Sequence, residues 1–244
     1  MKTALVTGGA RGIGAAAVRK LCEDGFNVAI NYKGSEEKAH ALSSELISCG
    51  YDVFCVKADV ADPSQVNGMT QSVIRRWGKL DVLVNNAGYG YFGPIFDTVS
   101  DADWQTMLST DLTGVFNCSR AALPYMLREK AGRIINVASM WGQVGASCEV
   151  PYSAAKAGVI GLTKALAKEA GPSGITVNCV SPGVVDTDMM AGFSEEEKKA
   201  LYEEIPLGRA ARPEEIAAVI SFLAGNGASY ITGQVIGVNG GMIV

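Results

Sequence analysis

Tyr152 is followed four residues later by Lys156, and none of the other tyrosines carries a lysine at that spacing. On a helix, positions four apart lie on one face. A phenol has an ordinary pKa near ~10 and exchanges protons poorly at neutral pH. An adjacent ammonium stabilises phenolate and draws that pKa toward a useful range. The pair therefore suits proton transfer at a polar oxygen. A Tyr-x-x-x-Lys alone is more often an exposed contact without a role, so its weight depends on what accompanies it.

A second constellation is the run Thr7-Gly8-Gly9-Ala10-Arg11-Gly12-Ile13-Gly14, which joins a short apolar run to an alanine-rich helical stretch. Glycines there let the backbone turn sharply and approach a pyrophosphate, which a helix N-terminus then meets with unpaired N–H groups. A tight turn without a ligand is the plain alternative. Sites that prefer NAD place a carboxylate on the ribose 2′-hydroxyl about 20 residues beyond the turn. The corresponding strand ends Asn31-Tyr32-Lys33, with no carboxylate at its tip, and Glu36 and Glu37 fall on a following solvent-facing helix. Arg11 in the turn and Lys33 at the strand end are cations available to a 2′-phosphate. The cofactor expected is NADP(H).

These groups need a scaffold, and the chain supplies one in alternating segments. Strands are predicted over 3–7, 26–32, 53–57, 80–84, 133–138, 175–180 and 235–239, with helices over 13–24, 36–49, 63–77, 103–130, 152–170 and 214–223. Asp62-Pro63 reads as a cap before a proline at the first helical position, Gly25 and Gly50 close two helices, and Ser100 with Asp103 resembles a capping box. Runs such as Ala4-Leu5-Val6 and Val82-Leu83-Val84 are apolar without alternation, as parallel strands covered on both faces are. Repeated β-α-β order implies right-handed crossovers. The expected fold is α/β: a doubly wound, Rossmann-type, mostly parallel seven-stranded sheet with helices on both faces, forming a single domain over 1–244. The stretch 181–213 is predicted irregular. Its acidic run Glu195-Glu196-Glu197 reads either as a solvated face or as part of a lid within 184–213.

Taken together, these motifs resemble the short-chain dehydrogenase/reductases in their T-G-x-x-x-G-x-G form, and the resemblance runs over essentially the whole chain. It implies that Gly8, Arg11, Gly12, Ile13 and Gly14 hold the pyrophosphate, with Tyr32 and Lys33 nearby. It also implies that Asp59 and Val60 meet the adenine ring, that Asn86, Ala87 and Gly88 form the N-N-A-G turn, and that Pro182, Gly183, Val185 and Thr187 approach the carboxamide. Ser139 precedes Tyr152 by thirteen residues, the family's arrangement of catalytic Ser, Tyr and Lys. The implied reaction is carbonyl reduction: Tyr152 protonates the carbonyl oxygen, Ser139 hydrogen-bonds it, and Lys156 binds the cofactor ribose and tunes Tyr152. Asp111 stands where the family often has an Asn, whose backbone carbonyl is thought to hold a relay water.

Two closer resemblances compete for the substrate. Asp81 to Gly88, Gly132 to Val137, Thr232-Gly233-Gln234 and Gly240-Gly241-Met242 are similar to bacterial 3-oxoacyl-acyl-carrier-protein reductases. In those enzymes basic side chains dock the acidic carrier, and Lys130 is a candidate for that role. Ser173 stands where a second Arg is expected, and Tyr89 to Pro94 departs from the pattern. In the C-terminal half, Trp141-Gly142, Gly145 to Val150, Asp186 to Met190 and Ala211-Arg212-Pro213 resemble elongation factor P 5-aminopentanone reductases. An ammonium-bearing substrate would suit an acidic wall, with Glu149 as its main candidate and Asp186 and Asp188 as others. Turn capping is the plain reading of those carboxylates. The resemblance also implies a homotetramer through the helices beginning at 103 and 152.

Composition narrows the remaining classes. With 48% hydrophobic and 19% charged residues over 244, the chain can bury a sizeable core. A net charge of −4 disfavours nucleic acid and anionic membrane surfaces as main partners. The single histidine, His40, lies in a polar stretch and makes a Ser-His-Asp triad or a His-rich metal site improbable, so no metal is expected. Six cysteines without a C-x-x-C pair, and the absence of a signal-peptide pattern or a long apolar span, suggest a cytoplasmic protein with reduced thiols. A non-catalytic NADP-binding module would be expected to have lost Ser139, Tyr152 or Lys156. All three are present.

Overall fold

A computed structural model describes residues 1–90, 93 and 95–244, apart from the side chains of Met189 and Ala191. Tyr91, Phe92 and Pro94, in the segment that departs from the carrier-reductase pattern, lie outside the described residues. Seven strands form one sheet in the order β3-β2-β1-β4-β5-β6-β7, and every pairing is parallel. They are β1 Lys2–Val6, β2 Phe26–Tyr32, β3 Val53–Lys57, β4 Val82–Asn85, β5 Gly132–Val137, β6 Ile175–Pro182 and β7 Val235–Val238. Unbroken apolar runs account for this burial: Ala4, Leu5, Val6, Val82, Leu83 and Val84 are all at most 1% exposed. Each large aliphatic side chain buried this way contributes roughly 1.5–3 kcal/mol.

Helices α1 Gly12–Glu23, α2 Glu36–Ser48 and α9 Pro213–Ala224 pack on one face, and α3 Pro63–Trp77, α5 Gly114–Glu129 and α7 Val150–Ala170 on the other. Local signals set their ends. Asp62 accepts from the Ser64 and Gln65 N–H groups, and Pro63 occupies the first turn of α3. Ser100 caps α4 Asp101–Leu108 by accepting from the Asp103 N–H. The Asp103 carboxylate takes the Ser100 hydroxyl instead of the backbone N–H that a full capping box requires, because Asp is one methylene shorter than Glu.

Two expectations need correction. The single helix predicted over 103–130 is interrupted: α4 passes through a π-helical turn, Ser109–Thr113, before α5 begins. A π turn keeps the apolar spacing nearly continuous, which hides it in the sequence, and such turns concentrate at functional sites. The stretch 181–213 is not irregular throughout. It contains α8 Glu195–Glu203, started by a capping box between Ser194 and Glu197, and Glu195-Glu196-Glu197 form its exposed first turn. Those carboxylates favour the positive end of the helix dipole. A short helix that the sequence does not predict, α6 Trp141–Val144, follows β5.

Candidate active site

The order of strands reverses between β1 and β4, so the loops leaving their C-terminal ends diverge and open a crevice. There lies a cavity of about 710 Å³. Every residue expected to hold the cofactor or act in catalysis lines it except Gly14, and so does Glu149. Gly14 acts from behind, because a Cβ there would fall 2.2 Å from the Gly8 carbonyl oxygen. Gly8 adopts φ +61° and Gly12 φ +53°, the left-handed region that favours glycine.

Neighbouring turns hold this loop rigidly. Thr7 Oγ1 accepts from the Asn86 and Ala87 N–H groups at 2.9 and 3.0 Å. Asn86 Nδ2 donates to the Thr7 and Gly8 carbonyls at 3.0 and 3.2 Å, so its amide braces the turn from the adjoining loop. Asn31, absent from the predicted set, accepts from the Gly8 N–H at 3.2 Å and donates to the Ala58 carbonyl at 3.0 Å. The signal in the sequence is a polar Asn interrupting the end of an apolar strand run. No side chain caps α1, which leaves its first N–H groups facing the crevice.

The rim is cationic but paired. Arg11 lies 3.7 Å from Asp188, and Lys38 lies 2.8 Å from the same carboxylate. Lys33 lies 2.7 Å from Asp59. Lys38, on α2 just after Glu36 and Glu37, is not among the expected site residues, because only the fold brings it to Asp188. Asp188, expected among the acidic candidates for a substrate wall, is held instead by these cations, and Lys38 chiefly pulls its carboxyl below the ordinary range. Asp186 faces a separate cavity with Arg19 and Lys198, not this one. Lys130 ends α5 just before β5, at the opposite end of the sheet from this cavity.

Deeper in, β5 ends at Val137, and Ser139 follows with its hydroxyl accepting from the Trp141 N–H at 3.2 Å. α6 presses on α7 so closely that a Cβ on Gly142 would fall 2.7 Å from the Lys156 carbonyl carbon. Lys156 is buried, donating to the Val137 carbonyl at 3.2 Å and pairing with Asp111 at 3.1 Å. Its ammonium lies 5.4 Å from the Tyr152 ring centre. The lowered phenol expected for Tyr152 is not what this environment produces. Burial pushes the phenol up, Lys156 pulls it down, and Asp111 and Glu149 push it up again, so the net direction is upward. Burial likewise raises the Asp111 carboxyl against the pull of Lys156. Desolvation opposes the Lys156 charge, but Asp111 and Tyr152 outweigh it and hold its proton more tightly than usual.

Glu149 sits where α7 begins, 8% exposed, with no side-chain cap bond to the helix. Burial pushes its carboxyl up to about 7. Opposite these groups, Met190, Phe193 and Leu201 of the 184–213 segment also line the cavity.

A family model described as enoyl-(acyl carrier protein) reductase matches residues 8–243. The chain is 47% identical to the 3-oxoacyl-[acyl-carrier-protein] reductase FabG of Staphylococcus aureus, over 99% of this chain and 98% of that one. The chain belongs to the short-chain dehydrogenase/reductases. Another member, the 3-oxoacyl-[acyl-carrier-protein] reductase of Synechocystis, is 42% identical over 100% of this chain and 97% of its own. A variant of actinorhodin polyketide ketoreductase solved with NADPH matches the fold with a TM-score of 0.94 at 37% identity, covering 99% of this chain and 97% of that one. As a short-chain dehydrogenase/reductase, the protein is a nicotinamide-dependent oxidoreductase acting between a carbonyl and an alcohol. No helix among the described residues is long and apolar enough to cross a membrane.

Proposed function

We propose that this protein reduces the 3-oxo group of a carrier-bound acyl thioester to a secondary alcohol with NADPH. The supporting observation is the convergence of Ser139, Tyr152 and Lys156 on one wall of a cavity whose other end is the glycine turn. The residues fit the cofactor. Gly8 and Gly14 let the turn pack tightly on Ala87 and on its own backbone, where a Cβ would clash, the α1 N-terminus offers N–H groups, and Arg11, Lys33 and Lys38 form a cationic rim suited to a 2′-phosphate. When bound, the reduced nicotinamide supplies the hydride that adds to the carbonyl carbon.

The chain's own groups manage the oxygen. The Tyr152 O–H bond breaks as the O–H bond of the product alcohol forms, leaving phenolate. Ser139 donates a hydrogen bond to the same oxygen, and Lys156 holds the ribose and balances the phenolate charge. The 184–213 segment acts as a lid, with Phe193 and Leu201 excluding water. Exposed Trp104, Phe116 and Leu127 on α4 and α5 support self-association, with a homotetramer as the assembly proposed. Six unpaired cysteines support a cytoplasmic location.

Glu149 favours a second reading. A buried carboxyl with no side-chain partner among the described residues, facing the cavity three residues before Tyr152, suits a substrate with an ammonium group, as in a 5-aminopentanone carried on elongation factor P. Rates of NADPH consumption with acyl thioesters, neutral ketones and an amino-ketone distinguish the two. The primary reading expects thioesters to be fastest and Glu149→Gln to be neutral on them. A roughly fivefold or greater rise in KM for the amino-ketone alone in Glu149→Gln favours the second. No turnover of any carbonyl rejects both.

A further inference from the structure

Asp111 lies in the π-helical turn with its side chain fully buried. One carboxylate oxygen stands 3.1 Å from Lys156 Nζ, and the other accepts the Tyr89 N–H at 3.3 Å. The backbone of the N-N-A-G turn closes over it: a Cβ on Gly88 would fall 2.5 Å from Asp111 Oδ2. The carboxylate therefore has no room to swing aside. Its partner Lys156 is anchored on the Val137 carbonyl and shared with the Tyr152 ring at 5.4 Å. The ammonium thus stands between a fixed carboxylate and a phenol that can become an anion.

We propose that Asp111 is a positioning residue that offsets the charge of Lys156 and so holds Tyr152 as a protonated phenol, setting the site for reduction. The proposal rests on the reading of Tyr152 as proton donor. An unpaired ammonium beside a phenol favours phenolate, and the coupling is strong where water is excluded. A carboxylate in contact with that ammonium cancels much of its field at the phenol. Carbonyl reduction consumes the phenolic proton, whereas alcohol oxidation needs phenolate as base, so the offset favours the first direction. An Asn in the same place braces the turn equally well but leaves the ammonium uncompensated.

Other titratable groups face this pair from each packed element. Glu149 at the start of α7 acts on Tyr152 in the same sense as Asp111. Tyr89, after β4, touches Asp111 through its backbone. Cys179 on β6 stays a thiol, pushed up to about 11.

The test uses the full chain without cofactor or substrate, so its outcome is separate from that of the proposed reaction. Ultraviolet phenolate titration of the wild type, minus that of Tyr152→Phe, isolates Tyr152. The wild-type phenol is expected to ionise no lower than the ordinary tyrosine range, near ~10. Asp111→Asn should move that ionisation down by about one pH unit or more, while Asp111→Glu, which keeps the charge, should leave it close to wild type. Once a substrate is in hand, the high-pH fall of the reductive rate should move down with it in Asp111→Asn. A wild-type Tyr152 that ionises well below the ordinary range overturns the proposal. So does an Asp111→Asn variant that melts cooperatively yet shows no downward shift. If Asp111→Asn does not fold, the wild-type titration still decides.

Discussion

Tyr152 and Glu149 each give a prediction that a single substitution tests. Removing the Tyr152 hydroxyl leaves the ring and its packing, so Tyr152→Phe should bind NADPH normally while turnover falls ~10²–10⁴-fold, the usual worth of general acid catalysis. A variant retaining near-wild-type turnover would assign the proton to another group. Glu149 makes a prediction about stability. Its folded pKa is about 7 against an ordinary 4.5, so between those values the folded chain binds a proton that the unfolded chain has released. Stability contributed at this site therefore falls as pH rises from about 4.5 to about 7, then levels off. Glu149→Gln should remove that slope and stabilise the fold by about 1–3 kcal/mol above pH 7, with little difference near pH 4. Denaturant melts of both proteins across this range measure it, and parallel curves would mean the carboxyl stays solvated.

The elements act by bringing backbone close to backbone. Gly14 in the first turn of α1 packs on the Gly8 carbonyl, so Gly14→Ala cannot be accommodated without moving the glycine turn. It should weaken NADPH binding at least tenfold and lower the melting temperature, whereas exposed Gly68, with nothing near its Cβ position, should accept Ala with a small gain in stability. Isothermal titration and thermal melts of the two variants make the comparison. The cap of α3 offers a cleaner measure of local structure. Asp62→Ala removes bonds to two N–H groups and should cost about 1 kcal/mol, read by denaturant melts. The π turn is the contrasting case, since its sequence is that of an ordinary helix, yet it holds Asp111 against Lys156 and Gly88.

For the whole molecule, the rim charges join parts far apart in the chain. Arg11 and Lys38 meet Asp188 across the mouth of the cavity, linking the glycine turn and α2 to the 184–213 segment. Arg11→Ala should weaken NADPH roughly tenfold and leave NADH nearly unchanged, and the cofactor preference of the wild type should narrow as salt is added. Equal affinities for the two cofactors in the wild type would refute the assignment of the 2′-phosphate site. The pairs at Asp188 are exposed and contribute little to stability. Their effect is expected in binding.

How far the sequence alone reached can be seen residue by residue. β2, β3 and α3 fall where apolar runs, Gly25, Gly50 and Asp62-Pro63 put them, because strand burial, helix caps and turns are decided by neighbours in the chain. The motif residues Gly8, Ser139, Tyr152 and Lys156 were legible for the same reason, since spacing on one strand end or one helix face sets which groups converge. Contacts between distant segments were not legible. That Asp188 faces Arg11 and Lys38, that Asn31 braces Gly8, and that Lys130 stands at the far end of the sheet depend on the order in which the strands assemble. The Tyr152 phenol shows the same division most sharply. Its spacing to Lys156 announces a lowered pKa, but burial and the carboxylate of Asp111, forty-one residues earlier, push it the other way. Solvent exclusion and long-range charge are properties of the packed molecule, and only the tertiary structure decides them.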